Sequence, residues 1–307
     1  MSNPGWGGAP DGGIPPQPRC VRHQDRPTAL SCTRCGRPAC PDCLREASVG
    51  YQCVDCVAEG NKSIRQPRTI AGATMSSQRA TPLVTYILIA LNVAVFGVTA
   101  AQSGSVMNNA AGSSLFADWA LVPVMLAAPG EWIRVIGSGF LHFGIMHLAV
   151  NMLVLWIIGR DVEAALGRAR YLSVYLIALL GGSASVVWFQ SLMAPTAGAS
   201  GAVYGLMGAL AVILLRLRRS PGSIVAVIAL NIVISISVPG ISLFGHLGGL
   251  VAGAAATAGL LYVPQWRKAT GDTAAKLGWA AVAVVAIVTI GLIAARALQL
   301  RQQFVIG

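Results

Sequence analysis

Charge is what this sequence has least of. Only 11% of its 307 residues are Asp, Glu, Lys or Arg, against roughly 25% in a soluble domain. That scarcity excludes an ordinary soluble globule. With 55% hydrophobic residues, concentrated after position 80, the chain reads as an all-α polytopic membrane protein. No carboxylate occurs between Glu163 and Asp272, and no charged residue of either sign from Tyr171 to Leu215. No cysteine occurs after Cys56. Residues 1–19 are Gly/Pro-rich and lack an apolar core run, so they read as a disordered tail and not as a secretory signal. The net charge of +11 is read as basic residues on the cytoplasmic face of a membrane protein, with no nucleic-acid partner expected.

The seven cysteines are crowded between positions 20 and 56, and a histidine completes an even set. They form four close pairs: Cys20/His23, Cys32/Cys35, Cys40/Cys43 and Cys53/Cys56. Eight ligands suffice for two tetrahedral zinc ions. A segment this short buries little core, so metal would supply its folding energy. Spacing alone leaves the pairing open. The segment resembles a small B-box-type finger, and that resemblance implies Cys20, His23, Cys40 and Cys43 on one ion, with Cys32, Cys35, Cys53 and Cys56 on the other. Thiolate ligands imply a reducing compartment, hence a cytosolic N-terminal end. Residues 57–80 read as a polar, basic linker.

Seven apolar spans follow, near 82–101, 139–158, 171–193, 199–215, 222–238, 243–263 and 277–295. Arginines and lysines recur in alternate connections: Arg65, Arg68 and Arg79; Arg160, Arg168 and Arg170; Arg216, Arg218 and Arg219; Arg267, Lys268 and Lys276. This pattern predicts a multi-pass protein of the cell membrane with a cytoplasmic N-terminus and an extracytoplasmic C-terminus. Arg296 and Arg301 then fall on the wrong side.

The apolar region holds three histidines, His142, His147 and His246, and one serine set among glycines in "GASGAVYG". Ionisable groups at membrane depth are costly and usually face a cavity or a partner. Ser200 lies sixteen residues before Arg216, about 24 Å along a helix. His246 lies nineteen residues before Gln265, about 28 Å. Both spans run in the same direction, so the two side chains reach one level near the outer surface. Gly201, Gly205 and Gly208 on one span, and Gly245, Gly249 and Gly253 on the other, allow the close approach that a Ser–His hydrogen bond needs. His147 and Asn151, at i and i+4, share a helix face and can donate to an oxyanion, as can the Ser200 amide at a helix N-terminus.

Together these motifs resemble a rhomboid intramembrane serine protease across 81–265. "GASGAVYG" resembles the nucleophile motif, "GHLGGLVAG" the histidine motif, and "EWIRVIGSGFLHFGIMHLAVNM" the loop and second helix. Trp132 and Arg134 echo a structural Trp-Arg pair, here separated by Ile133. The resemblance implies a six-helix core, with residues 266–307 adding a loop, a seventh span and a tail. It implies a Ser200–His246 dyad without a carboxylate, oxyanion contacts from His147 and Asn151, and Tyr204 packed on His246. It also implies transmembrane protein substrates cut near the extracytoplasmic side, and no cofactor for catalysis. The finger would present a surface to a protein partner. Two other readings stand beside it: an inactive rhomboid-like protein that binds and sorts membrane clients, and a transporter using intramembrane histidines. The second lacks a charged substrate route.

Overall fold

A computed structural model describes residues 17–63, 69–72, 81–238 and 240–306. The tail through residue 16 and the linker residues Arg65, Arg68 and Arg79 lie outside them. The chain divides into two compact units, 1–66 and 67–307.

The first unit has almost no hydrocarbon to bury. Among its described residues the buried apolar cluster is Cys20, Cys32, Cys40, Cys43, Cys53 and Cys56 with Ala39 and Leu44. Strands β1 (Leu44–Glu46) and β2 (Tyr51–Cys53) pair antiparallel, with Leu44 opposite Cys53. Helix α1 (Val54–Ser63) starts at once and carries Cys56 in its first turn. It continues to Ser63, into the segment read from sequence as linker.

The second unit is helical. Helices α2 (Leu83–Ser103), α3 (Ser114–Trp119), α4 (Ile133–Gly137), α5 (Gly144–Leu166), α6 (Arg168–Phe189), α7 (Ser200–Arg216), α8 (Gly222–Ser237), α9 (Leu243–Trp266) and α10 (Gly271–Arg301) follow in order. Five of them, α2, α5, α6, α9 and α10, are long and apolar enough to cross a membrane, whereas α7 and α8 are shorter apolar helices. The hub is α6, whose apolar window is 61% buried against 22–39% for the other long helices. Its run Gly181, Gly182, Ser183 and Ala184 lies buried at the packing face, where small residues let neighbouring backbones approach.

Two spans differ from the sequence expectation. The second was expected at 139–158, but α5 runs from Gly144 to Leu166. Residues 138–140 make a 3-10 turn before it, and its charged end stays helical because Glu163 has a task. The buried Glu163 side chain accepts hydrogen bonds from Val84 N (3.0 Å), Thr85 N (2.9 Å) and Thr85 Oγ1 (2.8 Å). It thus satisfies the open N–H groups at the start of α2. Arg160 accordingly lies within α5, and Arg168 and Arg170 within α6, so the basic connection shrinks to Gly167. The seventh span, expected at 277–295, runs over Gly271–Arg301. Arg296, out of place in the charge pattern, has partners on α6. Its Nε donates to Val187 O at 3.1 Å, and its guanidinium lies 5.3 Å from the centre of the Trp188 ring. Trp188 Nε1 in turn donates to Leu292 O at 3.0 Å.

The connection between α2 and α5 is pinned by polar side chains. Arg134 donates to Ala117 O (2.6 Å) and Ala120 O (3.0 Å) and pairs with Glu131. The intervening Ile133 does not prevent this anchoring, while Trp132 faces outward, half exposed. Asn109 donates to Thr99 Oγ1 and accepts from Gly144 N, both at 2.7 Å.

Candidate active site

The segment entering α7 is stitched to the α2–α5 connection. Leu121 and Thr196 exchange backbone hydrogen bonds of 3.0 and 2.9 Å, and Gly198 N donates to Ser138 O at 2.9 Å. Gly198 has φ +138°, a region essentially reserved for glycine. Two residues later Ser200 opens the helix, where its N–H has no acceptor within the helix.

Ser200 and His246 meet at the α7–α9 seam, where backbone touches backbone. A Cβ built on Gly249 would lie 2.0 Å from Gly201 O, and one on Gly253 would lie 2.4 Å from Gly205 O. Only glycine fits at these two positions. The result is a hydrogen bond of 2.8 Å between Ser200 Oγ and His246 Nε2. The Tyr204 ring, one turn along α7, stacks on the imidazole with centroids 4.1 Å apart and planes 11° from parallel.

The other ring nitrogen, His246 Nδ1, lies 2.7 Å from Ser235 Oγ on α8. Ser235 Oγ also donates to Asn231 O at 2.7 Å and lies 3.4 Å from Tyr204 OH. Sequence reading missed Ser235. Its only signal is the i, i+4 pair Asn231/Ser235 in a mostly apolar helix that also carries Ser223 and Ser237, and serine there is ordinary.

His147 and Asn151 face the same place from α5. His147 Nδ1 accepts from Phe143 N at 3.2 Å, so Nε2 carries the hydrogen. That edge lies beside Gly198: a Cβ there would be 2.8 Å from His147 Cε1 and 3.1 Å from Nε2. Asn151 Nδ2 donates to His147 O at 2.9 Å, and its second amide hydrogen is left for another acceptor. A cavity of about 980 Å³ joins these groups, walled by Ser200, His246, His147 and Asn151 and by apolar side chains such as Met146 and Ile234. The wall is thus part polar and part apolar. His142 is fully buried, and its ring lies edge-on 5.1 Å from the ring of His147.

The finger unit gathers its ligands into two quartets: Cys20, His23, Cys40 and Cys43, and Cys32, Cys35, Cys53 and Cys56. Within each, the ligand atoms lie within 4.8 Å of one another. Tetrahedral zinc with Zn–S near 2.3 Å requires S–S edges of about 3.8 Å. Cys35 and Cys53 show 3.8 Å, and His23 Nδ1 lies 3.3 Å from both Cys40 and Cys43. Backbone hydrogen bonds, chiefly from Cys40, lower Cys20 to about 6, and those chiefly from Cys53 do the same for Cys32. Burial, then crowding by neighbouring thiols, pushes Cys43 up to about 11 and Cys56 up to about 12. Each quartet thus combines thiolates that form easily with thiols that need a cation beside them to ionise. These eight residues can hold two metal ions.

Comparison with known proteins bears on the membrane unit. Residues 129–263 match the rhomboid domain, and every side chain of the Ser200–His246 site falls inside that match. The chain is 36% identical over 188 residues to rhomboid protease GluP of Bacillus subtilis, covering 60% of this chain and 36% of that protein. It is 30% identical over 132 residues to the mitochondrial Rhomboid protein 1 of Saccharomyces cerevisiae, covering 40% and 34% respectively. Rhomboid protease AarA of Providencia stuartii is 29% identical over 169 residues, covering 46% and 60%. The chain spans about a third of the length of the first two of these relatives.

Proposed function

We propose that this multi-pass membrane protein, whose residues 129–263 match the rhomboid domain, is a serine endopeptidase that cuts transmembrane helices of other membrane proteins. The observation that carries the reading is the 2.8 Å contact between Ser200 Oγ at a helix N-terminus and His246 Nε2. Ser200 Oγ attacks the scissile carbonyl as its proton passes to Nε2, and the same proton then goes to the leaving amine. The tetrahedral oxygen takes hydrogen bonds from the Ser200 N–H, from His147 Nε2–H and from the free amide hydrogen of Asn151. Water then hydrolyses the acyl-enzyme, with His246 again taking a proton. A substrate helix must unwind locally, because its amides are otherwise shielded by their own hydrogen bonds.

The alternating basic connections support an orientation with the N-terminus in the cytoplasm and the site near the extracytoplasmic surface. In a reducing cytoplasm the two ligand quartets hold zinc as a structural metal. The finger then offers a folded surface to a protein partner on that side.

A serine-reactive fluorophosphonate should label the purified protein, and Ser200→Ala or His246→Ala should abolish both labelling and cleavage of a reporter helix. Cleavage that survives in folded Ser200→Ala protein would sink the reading. A wild-type protein that stays unlabelled yet binds membrane clients would instead be a sorting protein.

A further inference from the structure

Helix α8 buries only two of its sixteen residues, Ile224 and Ser235. One of these two touches the base. Ser235 Oγ is 2.7 Å from His246 Nδ1 and 2.7 Å from Asn231 O. A carbonyl oxygen can only accept, so the single hydroxyl hydrogen of Ser235 is drawn to Asn231 O. Ser235 Oγ then faces Nδ1 as an acceptor. This requires the imidazole hydrogen on Nδ1 and leaves the Nε2 lone pair toward Ser200. The opposite arrangement would put a hydrogen on Nε2 and disable the base. In hydrolases with three-residue sites a carboxylate orients the histidine. Here no carboxylate occurs between Glu163 and Asp272, and the hydroxyl occupies the equivalent place on the ring. Tyr204 closes the arrangement, with its ring on the imidazole and its OH 3.4 Å from Ser235 Oγ.

We propose that Ser235 is a positioning residue that holds His246 in the tautomer able to accept the Ser200 proton. The proposal rests on the reading of Ser200 and His246 as nucleophile and base. No proton moves along the Ser235 arm: the Nδ1 hydrogen stays on the ring while the Ser200 proton arrives at Nε2 and leaves with the amine. Ser235 thus stabilises the transient imidazolium through a neutral oxygen.

The test uses the full chain in detergent micelles, with ¹⁵N-labelled histidine and a transmembrane reporter substrate. The His246 signals are assigned by their loss in His246→Gln. Wild type should show the Nδ1–H tautomer for His246. Ser235→Ala should shift it toward Nε2–H and lower kcat about tenfold, the rate equivalent of one neutral hydrogen bond, with KM unchanged. Ser235→Thr, which keeps the hydroxyl, should restore both tautomer and kcat. If Ser235→Ala does not fold, Ser235→Cys keeps the volume with a poor acceptor and should show the same kcat loss and tautomer shift. Three results would each overturn the proposal: an Nε2–H tautomer in wild type, wild-type kcat in Ser235→Ala or Ser235→Cys, or a kcat loss without a tautomer shift. A wild type that neither cuts nor labels with fluorophosphonate would remove the peptidase reading, while its ¹⁵N spectrum would still decide the tautomer.

Discussion

A methyl group on Gly198 would stand 2.8 Å from His147 Cε1, on a backbone with φ +138°. Either the ring of His147 or the approach to Ser200 must give way. Gly198→Ala should therefore lower turnover about 100-fold, the scale of a roughly 1 Å misplacement at a reacting centre. A turnover assay beside a thermal melt checks this; wild-type turnover in Gly198→Ala would show that the approach to Ser200 tolerates a side chain. Residues of this kind were readable from sequence because their reasons are local: a serine between glycines, a histidine over a four-residue glycine ladder, cysteines in close pairs. Ser235 was not readable. Its partner lies on another helix, and nothing in "NIVISIS" separates it from a serine that bonds only to its own backbone.

Helices are held at their ends as well as along their faces. The Glu163 carboxyl group takes three hydrogen bonds at the start of α2, two of them from backbone N–H groups. Glu163→Ala leaves those donors buried beside α5 without their acceptor, and should lower stability by about 2–4 kcal/mol. Turnover per folded molecule should hold, since Glu163 lies far along α5 from His147 and Asn151. Denaturant unfolding in micelles measures the first expectation; a loss of turnover in fully folded Glu163→Ala would contradict the second. The order of the apolar helices was legible because long apolar runs are hard to mistake, although only five of the seven are long enough by themselves to cross a membrane. The ends of α5 and α10 were not. Charged residues such as Arg160, Glu163 and Arg296 read as connection, whereas here they stay helical, Glu163 and Arg296 with partners on neighbouring helices and Arg160 with Trp156 and Asp161 on its own. Hydropathy marks where a chain can meet lipid; it says little about where helical hydrogen bonding stops.

The two units build their interiors differently. The membrane unit has an extended apolar core with small residues at its helix seams, while the finger unit, short of hydrocarbon, gathers eight residues that can hold metal. Metal analysis of the purified full chain should return two zinc ions, and Cys32→Ser with Cys53→Ser should reduce that to one. Chelation should unfold the finger but leave cleavage of a reporter helix intact, because Ser200, His246, His147, Asn151, Tyr204 and Ser235 all lie within residues 129–263. Loss of cleavage on chelation would make the finger part of the catalytic unit. The α7–α9 seam has one more consequence, and it is mechanical. With backbone oxygen against glycine at Gly201/Gly249 and Gly205/Gly253, no rotatable bond lies in the contact, so the backbone spacing beneath Ser200 and His246 changes only if two whole helices part. On the opposite wall, α8 buries only Ile224 and Ser235 fully, with Ile228 packed in part against the core. The site is therefore stiff across the reacting pair and compliant along one flank. A helix-sized guest that presses on α8 loads the Ser235 contacts before it parts the α7–α9 seam.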